Sequence, residues 1–507
     1  MQTLYSASVH GIIGALIEVE VDVKRGMGQF MIVGLGDTAV QESKERVRSA
    51  IKNSGFTFPS GARITVNLAP ADVRKKGPIY DLPIALGILA EQIEYKDNII
   101  EESILLGELA LDGSVRKVIG VLPAAILARE IGKKYIFLPK ENLGEASMIP
   151  DITVIGIESL QEAIEYLNGQ KMIDNCPKIE NSFEPKRKIY TDFKEIIGQD
   201  HAKRALMIAA AGGHNLLMEG PPGSGKTLLS KALAGILPPL DIEEKIEISK
   251  IYSVSGLLSA DTPIINQRPF RTIHHTASEA SIIGGGRDAK PGEISLAHKG
   301  ILFLDEFLEF SKRLLETLRQ PLEDGKITVN RVNQSSEYPC DFSLVGAMNP
   351  CPCGFLGDPE KQCSCTRHSI DRYRSKLSGP ILDRIDMYIN VPRIKIEELQ
   401  KSTKSNTPSS EIQKQIIQAI EIQKARHKAT GIGPKRNSEL SSKEIEKFGN
   451  IQESARNIAI KSVEKMNLST RSYYRILRVA RTIADLDGQK YVEDRHILEA
   501  LGYRQKT

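Results

Sequence analysis

The chain has 507 residues, enough for roughly three domains of about 100–200 residues each. Hydrophobic residues make up 41% of it and charged residues 26%, and no stretch approaches the roughly 20 consecutive apolar residues of a membrane-spanning helix, so we expect no membrane partner. The net charge of +4 is too small for this length to indicate a polyanionic partner, because nucleic-acid binding depends on local patches.

The order of sequence patterns predicts three domains. Residues 1–170 alternate strand-like and helical runs (GALIEVEVDV, ESKERVRSAIKNSG, ARITVNLAP, LPIALGILAEQI), which predict an α/β domain that begins with a strand and not with a secretory signal. Residues 171–192 are polar with prolines and predict a linker. Residues 193–393 alternate helices and strands, as in a parallel sheet covered on both faces. Residues 394–507 open with a polar stretch and continue as amphipathic helices, which predicts a helical C-terminal domain.

A glycine-rich loop follows the apolar strand-like run HNLLMEG and precedes the helical run LLSKALAGIL. The loop consists of Gly220, Pro221, Pro222, Gly223, Ser224, Gly225, Lys226 and Thr227. Its glycines let the backbone wrap a phosphate, and the helix N-terminus faces the anion. Lys226 is expected to reach the terminal phosphates, and Thr227 to ligate Mg²⁺. The pattern therefore predicts that ATP and Mg²⁺ bind here.

Polar residues end two further apolar strand-like runs. The run Ile301 to Leu304 leads directly into Asp305 and Glu306, which places two carboxylates at the carboxyl edge of the predicted sheet. There, Asp305 is suited to hold Mg²⁺ through its water shell and Glu306 to polarise the attacking water. The run FSLVGAM ends at Asn349, whose amide is suited to orient that water.

Two helical segments carry arginines that are candidates for stabilising charge on the transferred phosphate. Arg384 lies in SGPILDRID and Arg471 in LSTRSYYRILRVARTIA. Because helical arginines are common and mostly solvated, surface salt bridges remain the alternative for both.

Four cysteines lie within fifteen residues: Cys351, Cys353, Cys363 and Cys365. Two close thiolate pairs on a short loop are suited to one tetrahedral structural Zn²⁺, and such clustering is typical of the reducing cytoplasm. The alternative is four reduced cysteines in a tight loop. Cys340 is a possible substitute ligand, whereas Cys176 in the linker is expected to be incidental.

Long motifs in both halves of the chain carry a family resemblance. They are GLGD with ESKERVR, NLAPADVRKKGPIYDLPIALGILA, GELALDGSVRKVIGVLPAA, RPFRTIHHTAS, GGGRDAKPGEISLAHKGILFLDE, QPLEDGK, NPCPCG and SGPILDRID. Over essentially the whole chain these motifs resemble the magnesium-chelatase-like AAA+ family, in the branch of YifB and competence protein ComM.

The resemblance implies a fold, an assembly and a substrate. The fold is a Lon-protease-like (S5-like) α/β N-terminal domain, a central AAA+ P-loop α/β core and a C-terminal helical lid. The assembly is a homo-hexameric ATPase ring in which Arg384 acts across the subunit interface as an arginine finger and Arg471 is the second sensor. The partner is DNA, single-stranded or branched, because members similar to ComM are regarded as helicases that drive branch migration in homologous recombination and natural transformation.

In that picture, insertions in the AAA+ core project into the pore of the ring. Residues 260–287 match one insertion, and the segment LEDGKITVNRVNQSSEYPCD predicts a β-hairpin that would be the other. Lys326 and Arg331 of this hairpin are candidate phosphate contacts, with ordinary solvated charges as the alternative. His274 and His275 follow Ile273 where the family usually has proline, and we expect them to pack in a loop and not to bind metal.

A Lon-type protease needs a serine nucleophile and a lysine base, and this chain has Ile79 and Pro123 at the corresponding positions. We therefore expect no peptide cleavage. Three other functions remain open: a chelatase-type motor that drives a metal into a porphyrin, a chaperone that remodels protein, and a non-catalytic scaffold.

Overall fold

The computed structural model describes residues 1–93, 99–172, 191–286, 289–331, 334–377, 379–394, 407–431, 433 and 435–504. The chain divides into two compact units, Met1–Arg187 with Asp241–Asn266 and Lys188–Leu240 with Gln267–Thr507. Most of the predicted linker at 171–192, with Cys176, lies outside the described residues. Among the described helices, none has the length and apolar character needed to cross a membrane.

The regular elements follow the chain in this order. The strands are β1 Gln2–His10, β2 Ile13–Arg25, β3 Gln29–Val33, β4 Ala62–Ala69, β5 Ser103–Leu105, β6 Glu108–Leu109, β7 Val115–Arg116, β8 Tyr135–Pro139, β9 Thr153–Ile157, β10 Leu216–Glu219, β11 Phe270–Ile273, β12 Gly284–Gly285, β13 Lys290–Pro291, β14 Ile301–Leu304, β15 Lys326–Arg331, β16 Gln334–Pro339, β17 Ser343–Met348 and β18 Met387–Asn390. The α-helices are α1 Thr38–Asn53, α2 Asp81–Ile88, α3 Val121–Glu130, α4 Leu143–Ala146, α5 Leu160–Leu167, α6 Asp200–Gly212, α7 Lys226–Ile236, α8 Ile242–Ser255, α9 Glu279–Ile283, α10 Glu293–Leu296, α11 Lys312–Thr317, α12 Arg319–Asp324, α13 Arg367–Arg374, α14 Gly379–Leu382, α15 Ser409–Ala429, α16 Ser442–Phe448, α17 Glu453–Lys465, α18 Thr470–Leu486 and α19 Asp494–Gly502.

The first unit has the mixed α/β character that the alternating pattern of its sequence predicts. One sheet has the order β1-β2-β4-β3, in which β3 and β4 are parallel and the other pairs antiparallel, and a parallel sheet has the order β5-β8-β9. In β4, Ile64, Val66 and Leu68 alternate with more exposed residues, because successive side chains of a strand point to opposite faces. Every residue of α2 is buried, so this apolar helix lies inside the unit.

The segment Asp241–Asn266 belongs to this first unit, although the sequence analysis placed it inside the ATPase core. Its helix α8 begins with a capping box between Asp241 and Glu244. Near its end, the Ser253 hydroxyl donates a 2.8 Å hydrogen bond to Glu145 and accepts one of 3.4 Å from the Leu122 amide. Because Glu145 is buried, this hydrogen bond satisfies a carboxyl group that water does not reach.

The second unit is built on a five-stranded parallel sheet of order β11-β14-β17-β10-β18. Every residue of β14 and β17 is buried. Because both faces of these strands are covered, their sequences are largely apolar and do not alternate with polar residues. All five carboxyl ends lie at one edge, so the residues that follow β10, β14 and β17 come together there. The parallel sheet of the prediction is confirmed.

Helices and a hairpin complete the second unit. The predicted C-terminal helices are present as α15–α19, in the same compact unit as the sheet, and α18 is the most buried of them. Within α18, Arg481 and Asp485 form a fully buried ion pair of 3.0 Å. The strands β15 and β16 pair antiparallel from Lys326↔Pro339 to Arg331↔Gln334, so the predicted hairpin is confirmed.

Candidate functional site

The phosphate loop connects β10 to α7, as predicted. Gly223 (φ +78°) and Gly225 (φ +89°) adopt left-handed conformations, and a Cβ at either position would meet no atom within 4 Å. Glycine is needed there for the backbone conformation, and the space beside both residues is open. At Gly220 a Cβ would instead lie 2.1 Å from the carbonyl oxygen of Val391, so the loop starts tightly against the end of β18.

Lys226 lies inside this loop, with only 9% of the residue exposed. Its Nζ donates hydrogen bonds to the carbonyl oxygens of Gly220 (2.6 Å) and Pro221 (2.9 Å) and to Asn349 Oδ1 (3.3 Å). Burial lowers the pKa of Lys226, while the negative charge of Asp305 acts in the opposite direction. Lys226, predicted to bind the terminal phosphates, and Asn349, predicted to orient the attacking water, therefore meet at the sheet edge.

Thr227 and Asp305 also come together. The Thr227 hydroxyl donates a 3.2 Å hydrogen bond to Asp305 Oδ2. A hydroxyl and a carboxylate are oxygen ligands of the kind Mg²⁺ prefers. With the open space beside Gly223 and Gly225, this donor set fits the triphosphate and Mg²⁺ that the sequence predicts.

Glu306 has a left-handed backbone (φ +53°), which is unusual for a residue with a Cβ and is a form of strain found at functional sites. Its carboxylate Oε2 lies 2.8 Å from His275 Nδ1. The sequence did not predict this pair, because loop packing was expected for His275. The register of the sheet accounts for it: β11 ends at Ile273, opposite Leu304 of β14, so the residues after both strands run alongside each other. The side chain of His274 is exposed beside it.

The two candidate arginines lie at the opposite edge of the sheet from the phosphate loop. Arg384 comes two residues after α14, before β18, and its carbonyl accepts a 2.9 Å hydrogen bond from Asn215, which precedes β10. Both Arg384 and Arg471 pair with Glu323, the latter at 3.2 Å. Arg384 is only 5% exposed and Arg471 is 55% exposed. Arg471 thus pairs with Glu323 at the surface, whereas the guanidinium of Arg384 is buried beside a carboxylate that is 40% exposed.

The four clustered cysteines converge. Their Sγ atoms all lie within 4.8 Å of one another, in the group Cys351, Cys353, Cys363 and Cys365. Cys340 is not part of this group among the described residues, and burial raises the pKa of its thiol to about 12, which disfavours the thiolate that a metal needs. The substitute ligand considered from sequence is therefore not brought to the cluster.

The remaining predicted residues lie elsewhere. Lys326, at the base of the hairpin, pairs with Glu337 at 2.8 Å, and the side chain of Arg331 lies outside the described part of the chain. In the first unit, Ile79 and Pro123 are both buried, the latter within α3.

Comparisons with known proteins match three segments of the chain to family models. Residues 192–399 match "Magnesium chelatase, subunit ChlI", residues 19–142 match "Subunit ChlI of Mg-chelatase", and residues 406–504 match "Magnesium chelatase, subunit ChlI C-terminal". The second unit thus combines a parallel sheet and C-terminal helices with the sequence pattern of a magnesium-chelatase-like AAA+ protein.

Individual proteins are similar over nearly the whole chain. Competence protein ComM of Haemophilus influenzae is 42% identical over 505 residues, which are 99% of this chain and 97% of that protein. An uncharacterized protein YifB of Salmonella typhimurium is 40% identical over 504 residues, 99% and 96% of the two chains. By contrast, the magnesium-chelatase 67 kDa subunit of Chlorobaculum parvum is 31% identical over 162 residues, 31% of this chain and 23% of that protein. The chain therefore belongs to the ComM/YifB family of magnesium-chelatase-like AAA+ proteins.

Proposed function

We propose that the protein is an ATP-hydrolysing ring motor that acts on DNA, a helicase that promotes branch migration during homologous recombination and natural transformation. The observation that carries this proposal is the meeting of Lys226 with Asn349 and of Thr227 with Asp305 at the carboxyl edge of one parallel sheet. ATP with Mg²⁺ would supply the phosphoryl group and the charge that neutralises its oxygens.

The residues of the site divide the work of hydrolysis among them. Lys226 binds and orients the terminal phosphates, and Thr227 with Asp305 holds the metal ion. Glu306 accepts a proton from the attacking water, while Asn349 orients that water. This division matches what phosphoryl transfer to water requires, since positioning and electrostatic stabilisation carry most of the catalysis.

The position of the arginines supports a ring. Strand β10 has four residues and so spans about 13 Å, and Arg384 is bonded to its amino end while the phosphate loop leaves its carboxyl end. An arginine tied to the amino end is poorly placed for the phosphates of its own chain. We therefore propose that Arg384 and Arg471 act on nucleotide held by a neighbouring copy in a homo-hexamer.

The hairpin β15–β16 supports a polymeric substrate. Along the chain it lies between β14, which leads into Asp305, and β17, which leads into Asn349, so the backbone links it to both sides of the ATP site. The similar Haemophilus protein is named a competence protein. We propose single-stranded or branched DNA as the substrate, with Lys326 and Arg331 as candidate contacts, and a cytoplasmic location.

The first unit has the α/β character expected of a Lon-protease-like domain. We propose that it is such a domain without proteolytic activity, because neither the isoleucine at 79 nor the proline at 123 offers a nucleophile or a base.

We also propose a structural Zn²⁺ at the four clustered cysteines. Four thiolates around one Zn²⁺ at about 2.3 Å lie about 3.8 Å apart. The Sγ–Sγ distances among Cys351, Cys353 and Cys363 are 3.4, 3.6 and 3.6 Å, close to that spacing. Metal analysis of the purified chain should give one zinc ion per chain, lost in Cys363→Ser and kept in Cys340→Ser. A wild-type chain purified without chelator and free of zinc would refute this site.

The ATPase rate tests the motor. It is measured at fixed salt with no DNA, single-stranded DNA, duplex and branched DNA, since salt alone changes DNA affinity. Stimulation by DNA that disappears in Glu306→Gln supports a DNA motor. A hydrolysis rate that no DNA changes refutes the DNA motor. Stimulation by unfolded polypeptide would then indicate a chaperone. Stimulation by partner subunits of a porphyrin pathway would instead indicate a chelatase-type motor.

A further inference from the structure

Glu323 connects the candidate arginines to the hairpin. Its carboxylate Oε1 accepts hydrogen bonds from Arg384 and, at 3.2 Å, from Arg471, which is 148 positions away in sequence. One carboxylate thus holds two guanidinium groups side by side. We call Arg384 and Arg471 the arginine pair.

The same residue stands next to the hairpin. Glu323 lies in the last turn of α12, which ends at Asp324; Gly325 (φ +64°) follows, and β15 begins at Lys326. The amide of Cys340, after β16, donates a 2.8 Å hydrogen bond to the Gly325 carbonyl, so the base of the hairpin is closed against the end of α12. A displacement of the hairpin must therefore either move Glu323 or break the hydrogen bond between Cys340 and Gly325.

The arginine pair also has partners on the other side, where Arg471 lies 3.9 Å from Asp383. The carbonyl of Arg384 is bonded to Asn215, and Arg475, on the helix that carries Arg471, donates to the carbonyls of Leu382 (3.2 Å) and Ile385 (3.1 Å). Glu323 is the partner that belongs to the hairpin segment. Glu323 and both arginines also line an open polar cavity of about 630 Å³, which leaves room for an anion beside them.

We propose that Glu323 is a positioning residue that couples the hairpin to the arginine pair. While the hairpin is at rest, the carboxylate neutralises part of the charge of the pair. When the hairpin moves, Glu323 releases the pair to the terminal phosphate of a nucleoside triphosphate held by a neighbouring copy. The inference rests on the proposed ring motor, and it adds the residue through which substrate at the hairpin and nucleotide at the next subunit affect each other.

The test compares Glu323→Gln with Asp324→Asn, the adjacent carboxylate of the same helix, in the full chain. Without the charge at 323 the pair is held more weakly at all times, although Asp383 remains beside Arg471. We expect a higher basal turnover number, an unchanged KM for ATP, and a ratio of DNA-stimulated to basal rate that falls at least about 5-fold, the lower range of typical coupling between sites. Asp324→Asn should keep the wild-type ratio, and Glu323→Asp, which keeps the charge, should recover part of it. An unchanged ratio in Glu323→Gln overturns the proposal.

A second measurement does not depend on DNA. Hydrogen exchange of the β15–β16 amides is compared with and without ATP in the Glu306→Gln background, with α7 as the internal reference for ATP binding. ATP should change exchange in the hairpin when Glu323 is present and leave it unchanged in Glu323→Gln, while α7 responds in both. If the hairpin responds equally in both, or in neither, the coupling is refuted. If coupling is seen here but no DNA stimulates the wild type, the coupling stands and DNA as substrate fails.

Discussion

His275 Nδ1 lies 2.8 Å from Glu306 Oε2, so an imidazole contacts the carboxylate proposed to accept the proton of the attacking water. The contact follows from strand register, since Ile273 of β11 is opposite Leu304 of β14 and both chains continue in parallel. The backbone of Glu306 is strained, and a strained conformation persists only where neighbouring residues hold it. The orientation of this carboxylate therefore depends on its contacts with neighbouring side chains.

Replacing His275 by alanine should lower the turnover number for ATP about 10–100-fold, because a carboxylate that is displaced by even about 1 Å loses much of its effect on the reacting water. The affinity for ATP should stay the same, since the phosphates are bound by the loop at 220–227. Steady-state kinetics with direct ATP-binding measurements check both statements. His274→Ala is the matched control and should leave both unchanged; a rise of turnover in His275→Ala would show that the contact restrains Glu306 instead of orienting it.

Lys226→Ala should weaken ATP binding at least about 10-fold, because hydrogen bonds to charged groups contribute about 1.5–3 kcal/mol each. Lys231→Ala removes an exposed lysine of the same helix and should have no such effect. Titration with a fluorescent ATP analogue measures both affinities. Equal binding by the two variants would show that the buried lysine does not contact the nucleotide.

The parts of the site that sequence predicted are those in which local pattern determines position. A buried strand that ends in Asp305 and Glu306, and another that ends at Asn349, deliver their polar residues to one edge wherever the sheet is parallel. The conformation of the phosphate loop likewise follows from its own glycines.

What sequence did not predict depends on contacts between distant segments. The meeting of Arg384 and Arg471 at Glu323 requires the helical domain to pack on the sheet, and no pattern near any of the three residues reports it. The transfer of Asp241–Asn266 to the first unit depends on individual partners such as Ser253 and Glu145, which periodicity does not reveal. Such contacts, and not the order of elements along the chain, determine which compact unit a segment joins.

Gly354 lies in the segment that carries the four clustered cysteines, and it packs on Pro222 of the phosphate loop. A Cβ at this position would lie 2.6 Å from Pro222 Cδ, and the glycine has a left-handed backbone (φ +83°). Gly354→Ala should therefore displace Pro222 and weaken ATP binding about 10-fold or more, with zinc content unchanged. Gly357→Ala is the control, because Gly357 also has a left-handed backbone (φ +77°) but no atom lies within 4 Å of its Cβ position. The control should show only the strain of an alanine in this conformation, about 1–2 kcal/mol of stability. If both variants bind ATP equally, the close approach has no role in the site.

Asp386 anchors the start of β18, and its pKa predicts how the second unit responds to acid. Burial opposes its ionisation, but His214, Arg475 and the amide of Asn215 outweigh burial and lower its pKa to about 2. An unfolded aspartate has a pKa of about 3.9. The folded pKa is the lower one, so the stabilisation, about 2–3 kcal/mol, is present above about pH 4 and is lost as the pH falls toward about 2.

Asp386→Asn should accordingly lower the free energy of unfolding by about 2–3 kcal/mol at pH 7, and the difference from wild type should shrink below about pH 4. Chemical denaturation between pH 3 and 7 measures this difference. Asp371→Asn, an exposed aspartate of α13, serves as the control and should match wild type throughout. A deficit in Asp386→Asn that stays constant down to about pH 3 would mean that the side chain contributes hydrogen bonds but not its charge, because both states would then bind the same number of protons over that range.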